Sequence, residues 1–258
     1  MKNKKPLFWL FRFLKKLVYL FYPKITLEGK ENLPQEPCVI VGNHAQLHGP
    51  IAAELYFSDD FYAWCAAPMM TLKEVPAYTY SDFWSQKPKA IRPLFKLVSY
   101  IIAPLSVLIF NNARAIAVYK DKRIIKTFKE STELLNSGKS IVIFPEHDVK
   151  YNHIVYDFQE GFADIARLYY KRTGKELSFV PLYVAPKLKK IYLGKPVKYS
   201  ADNKNEEERR RICDYLMKEI TDIAEGLPEH TVIPYRNIPK KYYPKNTDKE
   251  EQNEKSTG

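Results

Sequence analysis

The sequence has few cysteines and none of the spacings that mark a metal centre. Its three cysteines, Cys38, Cys65 and Cys213, lie singly in apolar or helical stretches, without a CxxC or Cys/His pattern. An odd, scattered set argues against a disulfide framework and fits a reducing, cytosolic environment. The sequence therefore predicts neither a metal site nor a resident cofactor.

Other signatures are absent as well. There is no GxSxG elbow, so the sequence does not fit a serine hydrolase of the usual type. There is also no internal repeat. The first 22 residues lack an uninterrupted apolar core and a small-residue cleavage site, so they do not fit a secretory signal. No aromatic strand of the RNP type accompanies the basic residues, so a nucleic-acid partner is not expected.

What the chain has in excess is positive charge. Over 258 residues, 41 Lys and Arg outnumber 30 Asp and Glu, for a formal net charge of +11. This balance favours an anionic partner, such as an acidic membrane surface or a phosphorylated ligand. With 45% hydrophobic residues, the chain can also bury a sizeable core.

Residues 1–23 predict an amphipathic, membrane-associating helix. Arg12, Lys15 and Lys16 follow an i, i+3, i+4 spacing and share one face, while Trp9 and many other apolar residues cover the rest. Cations on a strongly apolar, aromatic helix are typical of a helix that lies in the membrane interface. The same cations argue against a spanning helix. The alternative is an amphipathic helix packed on its own domain.

A second apolar stretch, residues 94–110, carries one charge in seventeen residues and contains Pro104. It falls just short of the length of a spanning helix, and the proline would kink it. Two interpretations stay open from the sequence, a buried core helix and a segment that dips into the membrane.

Strands and helices alternate in the second half of the chain. Strands are predicted over 115–119, 140–144, 177–184 and 191–199, and helices over 122–136, 161–171 and 206–225. This order predicts an α/β fold with a mixed, largely parallel sheet flanked by helices, in a domain over residues 24–226. Residues 227–258 are Pro- and Tyr-rich and then polar, which predicts a disordered tail.

Residues 38–50 place a histidine at the end of a short strand. The apolar, β-branched run before it stops at Gly42 and Asn43, which favour a tight exit. His44 is therefore expected at the carboxyl end of a strand, where open α/β sheets bind ligands. A helix with Pro50 in its first turn follows. Such a histidine can move protons, although a hydrogen-bonded structural histidine is the alternative.

A second polar stretch follows the strand over 140–144. It consists of Phe144, Pro145, Glu146, His147 and Asp148. Because the carboxyl ends of parallel strands meet at one edge of a sheet, this predicted loop and His44 can face one cleft. Glu146 alone would be an ordinary solvated charge, but beside His44 it becomes a candidate catalytic residue.

Four short motifs, in this order, resemble those of glycerolipid acyltransferases of the lysophosphatidate acyltransferase type. They are Asn43-His44 with 29–34 ahead of it, the strand from Ala115 to Lys120, Phe144-Pro145-Glu146, and Val180-Pro181-Leu182. The third resembles the family's Phe-Pro-Glu-Gly and the fourth its strand carrying a proline. They cover roughly residues 25–200. Each motif alone is weak, but four in order behind an amphipathic N-terminus are fairly specific.

The resemblance implies a reaction. His44 would be the general base for a hydroxyl of a lysophospholipid or glycerol phosphate, which attacks an acyl thioester on coenzyme A or acyl carrier protein. Glu146 would hold the acceptor, and Lys120 with Arg123 would bind its phosphate. The further positions assigned to substrate binding are Asn43, Gly49, Phe144, Pro145, His147, Asp148 and Pro181.

Two positions depart from the family's motifs. Gly49 stands where the family keeps an Asp that orients the histidine, and His147 replaces the glycine after Phe-Pro-Glu. Loss of an orienting group can lower the rate by several orders of magnitude. His48, one residue before the missing Asp, is a candidate catalytic residue, although a neutral imidazole replaces a carboxylate poorly. Asp148 or Glu54 could supply an acid from elsewhere.

The sequence thus predicts an acyltransferase, peripheral or monotopic, on the cytoplasmic face of the cell membrane. Its expected partners are the anionic membrane surface, the lysophospholipid and the acyl carrier. One alternative is a non-catalytic relative that acts as a lipid-binding or scaffold protein, which Gly49 favours and the retained His44 and Glu146 disfavour. The other is a basic nucleic-acid-binding module.

Overall fold

The computed structural model describes residues 7–85 and 88–248. The start of the predicted helix over 1–23 and the end of the predicted tail, 249–258, lie outside the described residues. The chain divides into two compact units. The first consists of Met1–Lys24 with Ala52–Val142, and the second of Ile25–Ile51 with Ile143–Gly258.

Helices and strands alternate as the sequence predicts. The helices are α1 (Phe8–Phe21), α2 (His48–Tyr56), α3 (Val75–Thr79), α4 (Arg92–Asn112), α5 (Ile124–Asn136), α6 (Asp164–Thr173) and α7 (Asn205–Glu225). The strands are β1 (Thr26–Glu28), β2 (Cys38–Gly42), β3 (Phe61–Ala66), β4 (Ala115–Val118), β5 (Ser140–Ile143), β6 (Glu146–Lys150), β7 (Tyr156–Phe158), β8 (Ser178–Ala185), β9 (Lys190–Leu193) and β10 (Val197–Lys198). The pairing is mixed and largely parallel, which confirms the predicted α/β class.

In the second unit, β8 lies between β2 and β9. It runs parallel to β2, with Val41 opposite Pro181, and antiparallel to β9 and β10. A Cβ on Gly42 would lie 2.6 Å from the main-chain oxygen of Leu182, so the two strands approach too closely for a larger residue. All residues of β2 and β8 are buried, as expected for strands covered on both faces. The apolar face of α7 packs against β8.

In the first unit, β3 lies between β4 and β5 and is parallel to both. Helix α5 packs beside β4, and Trp64 on β3 donates from Nε1 to Ser131 Oγ at 2.9 Å. Helix α4 packs against α3 and the turn at Ala67–Met70. The segment Lys89–Asn112 is long and apolar enough to cross a membrane, and only 17% of its most apolar part is buried. This exposure differs from the buried core helix that the sequence left open.

The structure differs from the predicted tail over residues 227–248. We call residues 228–248 the C-terminal segment. Thr231 pairs with Lys245 in an antiparallel bridge, and Asn246, only 1% exposed, donates from Nδ2 to the main-chain oxygen of Ala224 at 2.8 Å. Hydrogen bonds of a buried polar residue hold this segment together with the buried side chains of Val232 and Ile233. The largely polar composition gave no apolar periodicity from which this docking could be predicted.

Candidate active site

His44 follows β2 directly, in the loop that leads into α2. Asn43, just before it, is buried and pairs with the main chain of Val184. Its Oδ1 accepts from the Val184 N–H at 2.7 Å, and its Nδ2 donates to the Val184 carbonyl at 3.2 Å. The side chain therefore extends the pairing of β2 with β8 past the strand end. Asn43, predicted to bind substrate, uses both ends of its amide to hold the loop that carries His44.

The next two residues form an unusual turn. Ala45 and Gln46 have φ values of 44° and 55°, in the left-handed region that residues other than glycine seldom adopt. The turn brings the main-chain carbonyl of Gln46 onto His44 Nδ1. A carbonyl only accepts hydrogen bonds, so Nδ1 carries the ring proton and Nε2 keeps the lone pair of the neutral imidazole.

Two aromatic rings flank the His44 imidazole. Phe144 and Tyr235 both meet it edge to face, with ring centroids at 5.5 and 5.8 Å. Burial lowers the pKa of His44, and the hydrogen bond to the Gln46 carbonyl opposes that change. The ring is therefore held neutral near pH 7, which is the form that can accept a proton.

Glu146 begins strand β6 and is not in a loop, which corrects the sequence-based prediction. Its carboxyl group is buried, and each of its oxygens accepts a main-chain N–H. Oε2 accepts from His44, and Oε1 accepts from Tyr156 on β7 at 2.8 Å. Burial raises the pKa of Glu146 to about 7, against the effect of both hydrogen bonds. The structure thus joins Glu146 to His44 through the backbone of the histidine rather than through its ring.

Gly49 is enclosed where the resemblance places an Asp. A Cβ at this position would lie 2.7 Å from Phe144 Cε1 and 2.8 Å from the main-chain oxygen of His44. Real Cβ atoms essentially never show contacts under 3.0 Å. The loop in this conformation leaves no room for a carboxylate at position 49, and the acceptor facing the His44 ring is the carbonyl of Gln46.

The other candidates for the orienting acid have partners of their own. Asp148 pairs with Arg236 at 2.8 Å, and Glu54, in the first unit, pairs with Lys15 at 2.5 Å. Neither carboxylate is hydrogen-bonded to the His44 ring.

His48, the other candidate catalytic residue, is the first residue of α2 and is half-buried. Burial lowers its pKa, and the nearby charge of Lys187 lowers the pKa further.

The remaining predicted substrate residues fall in both units. In the second unit, His147 contacts Asp157 at 2.8 Å, and Pro181 is buried in β8. Lys120 and Arg123 belong to the first unit, where Arg123 binds Asp121 through Nε and one terminal nitrogen at 2.8 to 3.0 Å. Among the described residues, no group of three or more His, Cys, Asp or Glu side chains could hold a metal ion.

Sequence reasoning missed three residues of the site. Gln46 supplies the carbonyl, and its side-chain Nε2 donates to the hydroxyl of Tyr243 at 2.8 Å. Tyr235 packs on the ring of His44. Both tyrosines belong to the C-terminal segment, whose tyrosine-rich composition was the one available signal. Gln46 gave none, because any residue type offers a main-chain carbonyl.

Comparisons with known proteins identify the family of the chain. The family model described as Acyltransferase matches residues 24–185, more than half of the chain and a range that contains His44 and Glu146. Among solved structures, the chain is similar to the 1-acyl-sn-glycerophosphate (LPA) acyltransferase PlsC from Thermotoga maritima. The identity is 14%, the match covers 86% of this chain and 83% of that one, and the TM-score is 0.47. None of the curated proteins compared with the chain matches it.

Proposed function

The chain belongs to the acyltransferase family, and on that premise we propose that it acylates a lysophospholipid of the lysophosphatidate type. The acyl donor is a thioester of coenzyme A or acyl carrier protein. The observation that carries the proposal is the state of His44. Its proton lies on Nδ1 against the Gln46 carbonyl, which leaves Nε2 as a neutral base in a loop anchored by Asn43 and Glu146.

In the proposed reaction, Nε2 of His44 takes the proton of the acceptor hydroxyl as its oxygen attacks the thioester carbonyl. The new C–O bond forms, the C–S bond breaks, and the proton on the imidazole passes to the leaving thiolate. The lowered pKa of His44 keeps Nε2 unprotonated at the start of the cycle. Glu146 holds the backbone of the base in place, which is a positioning role.

We place the protein at the cytoplasmic surface of the membrane through its first unit. Side chains of α1 are strongly exposed, with Trp9 68%, Leu20 72% and Phe21 81% accessible. Arg12 and Lys16 are exposed on the same helix and suit anionic headgroups. Along α4, Leu94, Leu97, Tyr100 and Ile101 are exposed as well. Burial of this apolar surface in the interface would bring the enzyme to its lipid acceptor.

The phosphate of the acceptor is assigned to exposed cations of the first unit. Arg123 is neutralised by Asp121 and lies over the Tyr119 ring at 4.6 Å. Lys120 is exposed beside it and is the better candidate. This assignment follows the motif that Lys120 occupies.

The test is transfer of labelled acyl groups from acyl-CoA and from acyl carrier protein to a panel of lysolipids in vesicles. Wild type and His44→Ala are compared, with vesicle binding and thermal unfolding measured on both. We expect transfer to fall to background in His44→Ala while binding and folding persist. Background transfer by wild type with every donor and acceptor, on intact vesicle binding, would overturn the enzyme assignment in favour of a lipid-binding relative.

A further inference from the structure

We infer that Gln46 and Tyr243 are positioning residues that take the place of the acid missing beside His44. The hydroxyl of Tyr243 holds the side chain of Gln46, and the carbonyl of Gln46 fixes the ring proton on Nδ1. The inference deepens the proposed function and rests on it for the effect on rate. The geometry itself is independent of the reaction.

The backbone of the turn after His44 has an unusual conformation. Two successive residues other than glycine, Ala45 and Gln46, occupy the left-handed region. Such residues persist only where surrounding contacts hold them, and they cluster at functional sites. Here the main-chain N–H groups of His48 and Gly49 close the turn, on the carbonyls of Ala45 at 3.1 Å and His44 at 3.0 Å. The carbonyl of Gln46 is the one that meets the imidazole.

A contact from outside the loop secures Gln46. Its side chain donates to Tyr243, which is 197 positions away in the chain. The C-terminal segment that carries Tyr243 is itself anchored. The His230 N–H donates to Asn246 Oδ1 at 2.7 Å, and the Tyr183 hydroxyl lies 2.8 Å from His230 Nε2. Tyr243 therefore offers Gln46 a fixed partner.

The carbonyl of Gln46 orients the His44 ring as a carboxylate would. Gly49 has no room for a side chain, so the orienting acceptor must come from another position. A main-chain carbonyl selects the same tautomer as an aspartate and holds the ring in the same way, but it carries no charge. Because the carbonyl is uncharged, it stabilises the imidazolium form less than an aspartate would, so His44 is expected to be a weaker base. The tautomer of His44 is expected to be just as well defined.

The experiment compares Tyr243→Phe with Tyr242→Phe. The first removes the hydroxyl that Gln46 contacts. The second removes a hydroxyl from a neighbouring ring that is 62% exposed and stacks with Lys241. Each protein is labelled with ¹⁵N in its histidines, and the His44 ring signals are assigned by their loss in His44→Ala. The tautomer of His44 and the kcat and KM of acyl transfer are then measured.

We expect wild type and Tyr242→Phe to show His44 protonated on Nδ1. Tyr243→Phe should show a mixture of tautomers and a kcat lower by about 2- to 10-fold, the equivalent of one hydrogen bond, with KM unchanged. Gln46→Asn tolerates the left-handed turn but is too short to reach Tyr243. It should give a similar loss, and the double variant should lose no more than either alone.

Three results would overturn the inference. They are an Nε2-protonated His44 in wild type, identical behaviour of Tyr243→Phe and Tyr242→Phe, or additive losses in the double variant. Failure of the proposed function is a separate outcome. Wild type without transferase activity, but with an Nδ1-protonated His44 that Tyr243→Phe disturbs, would refute the reaction and support the network.

Discussion

The backbone N–H of His44 donates to Oε2 of Glu146, a residue 102 positions further along the chain. The other oxygen of Glu146 accepts the N–H of Tyr156 at 2.8 Å. One buried carboxyl group thus fastens the loop of the base to the β6–β7 hairpin. The imidazole itself is oriented by the carbonyl of Gln46, so backbone position and ring orientation have separate sources.

We expect Glu146 to make stability depend on pH. Burial raises its pKa to about 7 from the ordinary value of 4.5, so the folded protein keeps a proton that the unfolded chain releases between these values. Its contribution to the free energy of unfolding should therefore fall as pH rises from 4.5 to about 7 and level off above. Urea unfolding of wild type and Glu146→Gln at stepped pH measures the difference. The lowered pKa of His44 is common to both proteins and cancels. Parallel pH profiles would contradict the prediction.

Gly49→Ala should destabilise the protein and lower its activity. The added methyl would overlap Phe144 and the His44 carbonyl, and overpacking of this kind costs about 1–3 kcal/mol. Gly161→Ala is the matched control, since a Cβ there meets nothing within 4 Å. Denaturant unfolding and acyl transfer are measured for both. Gly49→Asp should also fail to raise activity, and a gain in that variant would show that the loop can rearrange to accept the family's acid.

Asn246→Ala should loosen the C-terminal segment. The substitution leaves the His230 N–H and the Ala224 carbonyl without their partner in the interior, at about 1–3 kcal/mol for each unsatisfied group. Hydrogen exchange over 228–248 should become faster, and acyl transfer should fall with it. Asn237→Ala changes an exposed asparagine of the same segment and serves as the control. Unchanged exchange in Asn246→Ala would refute the anchoring role.

Replacing two cations of α1 should weaken binding to anionic membranes. Each cation near such a surface contributes about 1 kcal/mol, so Arg12→Gln with Lys16→Gln should bind anionic vesicles about 30-fold less tightly. Zwitterionic vesicles should bind both proteins alike. Lys171→Gln with Lys175→Gln changes two exposed cations of the second unit and is the control. Equal losses in the two double variants would point to net charge rather than to α1.

The sequence predicted what depends on local pattern. Short apolar runs that end in turn residues located β2 and β5, and with β2 the position of His44 just after a strand end. Glu146 follows β5 as predicted but begins β6 instead of lying in a loop. The carbonyl that orients His44 could not be predicted, because it depends on the backbone angles of Ala45 and Gln46 and not on a residue type. The exposure of the long apolar helix α4 and the docking of the C-terminal segment could not be predicted from the sequence either. Both depend on contacts between distant segments.

The hydrogen bond from Gln46 to Tyr243 can form only after the C-terminal segment has been synthesised. Tyr243, which secures the loop of the base, emerges from the ribosome 197 residues after Gln46. Until then a nascent chain carries His44 without the contact that secures its loop. Acyl transfer by an unfinished chain should therefore be slower than transfer by the chain in which the C-terminal segment has docked.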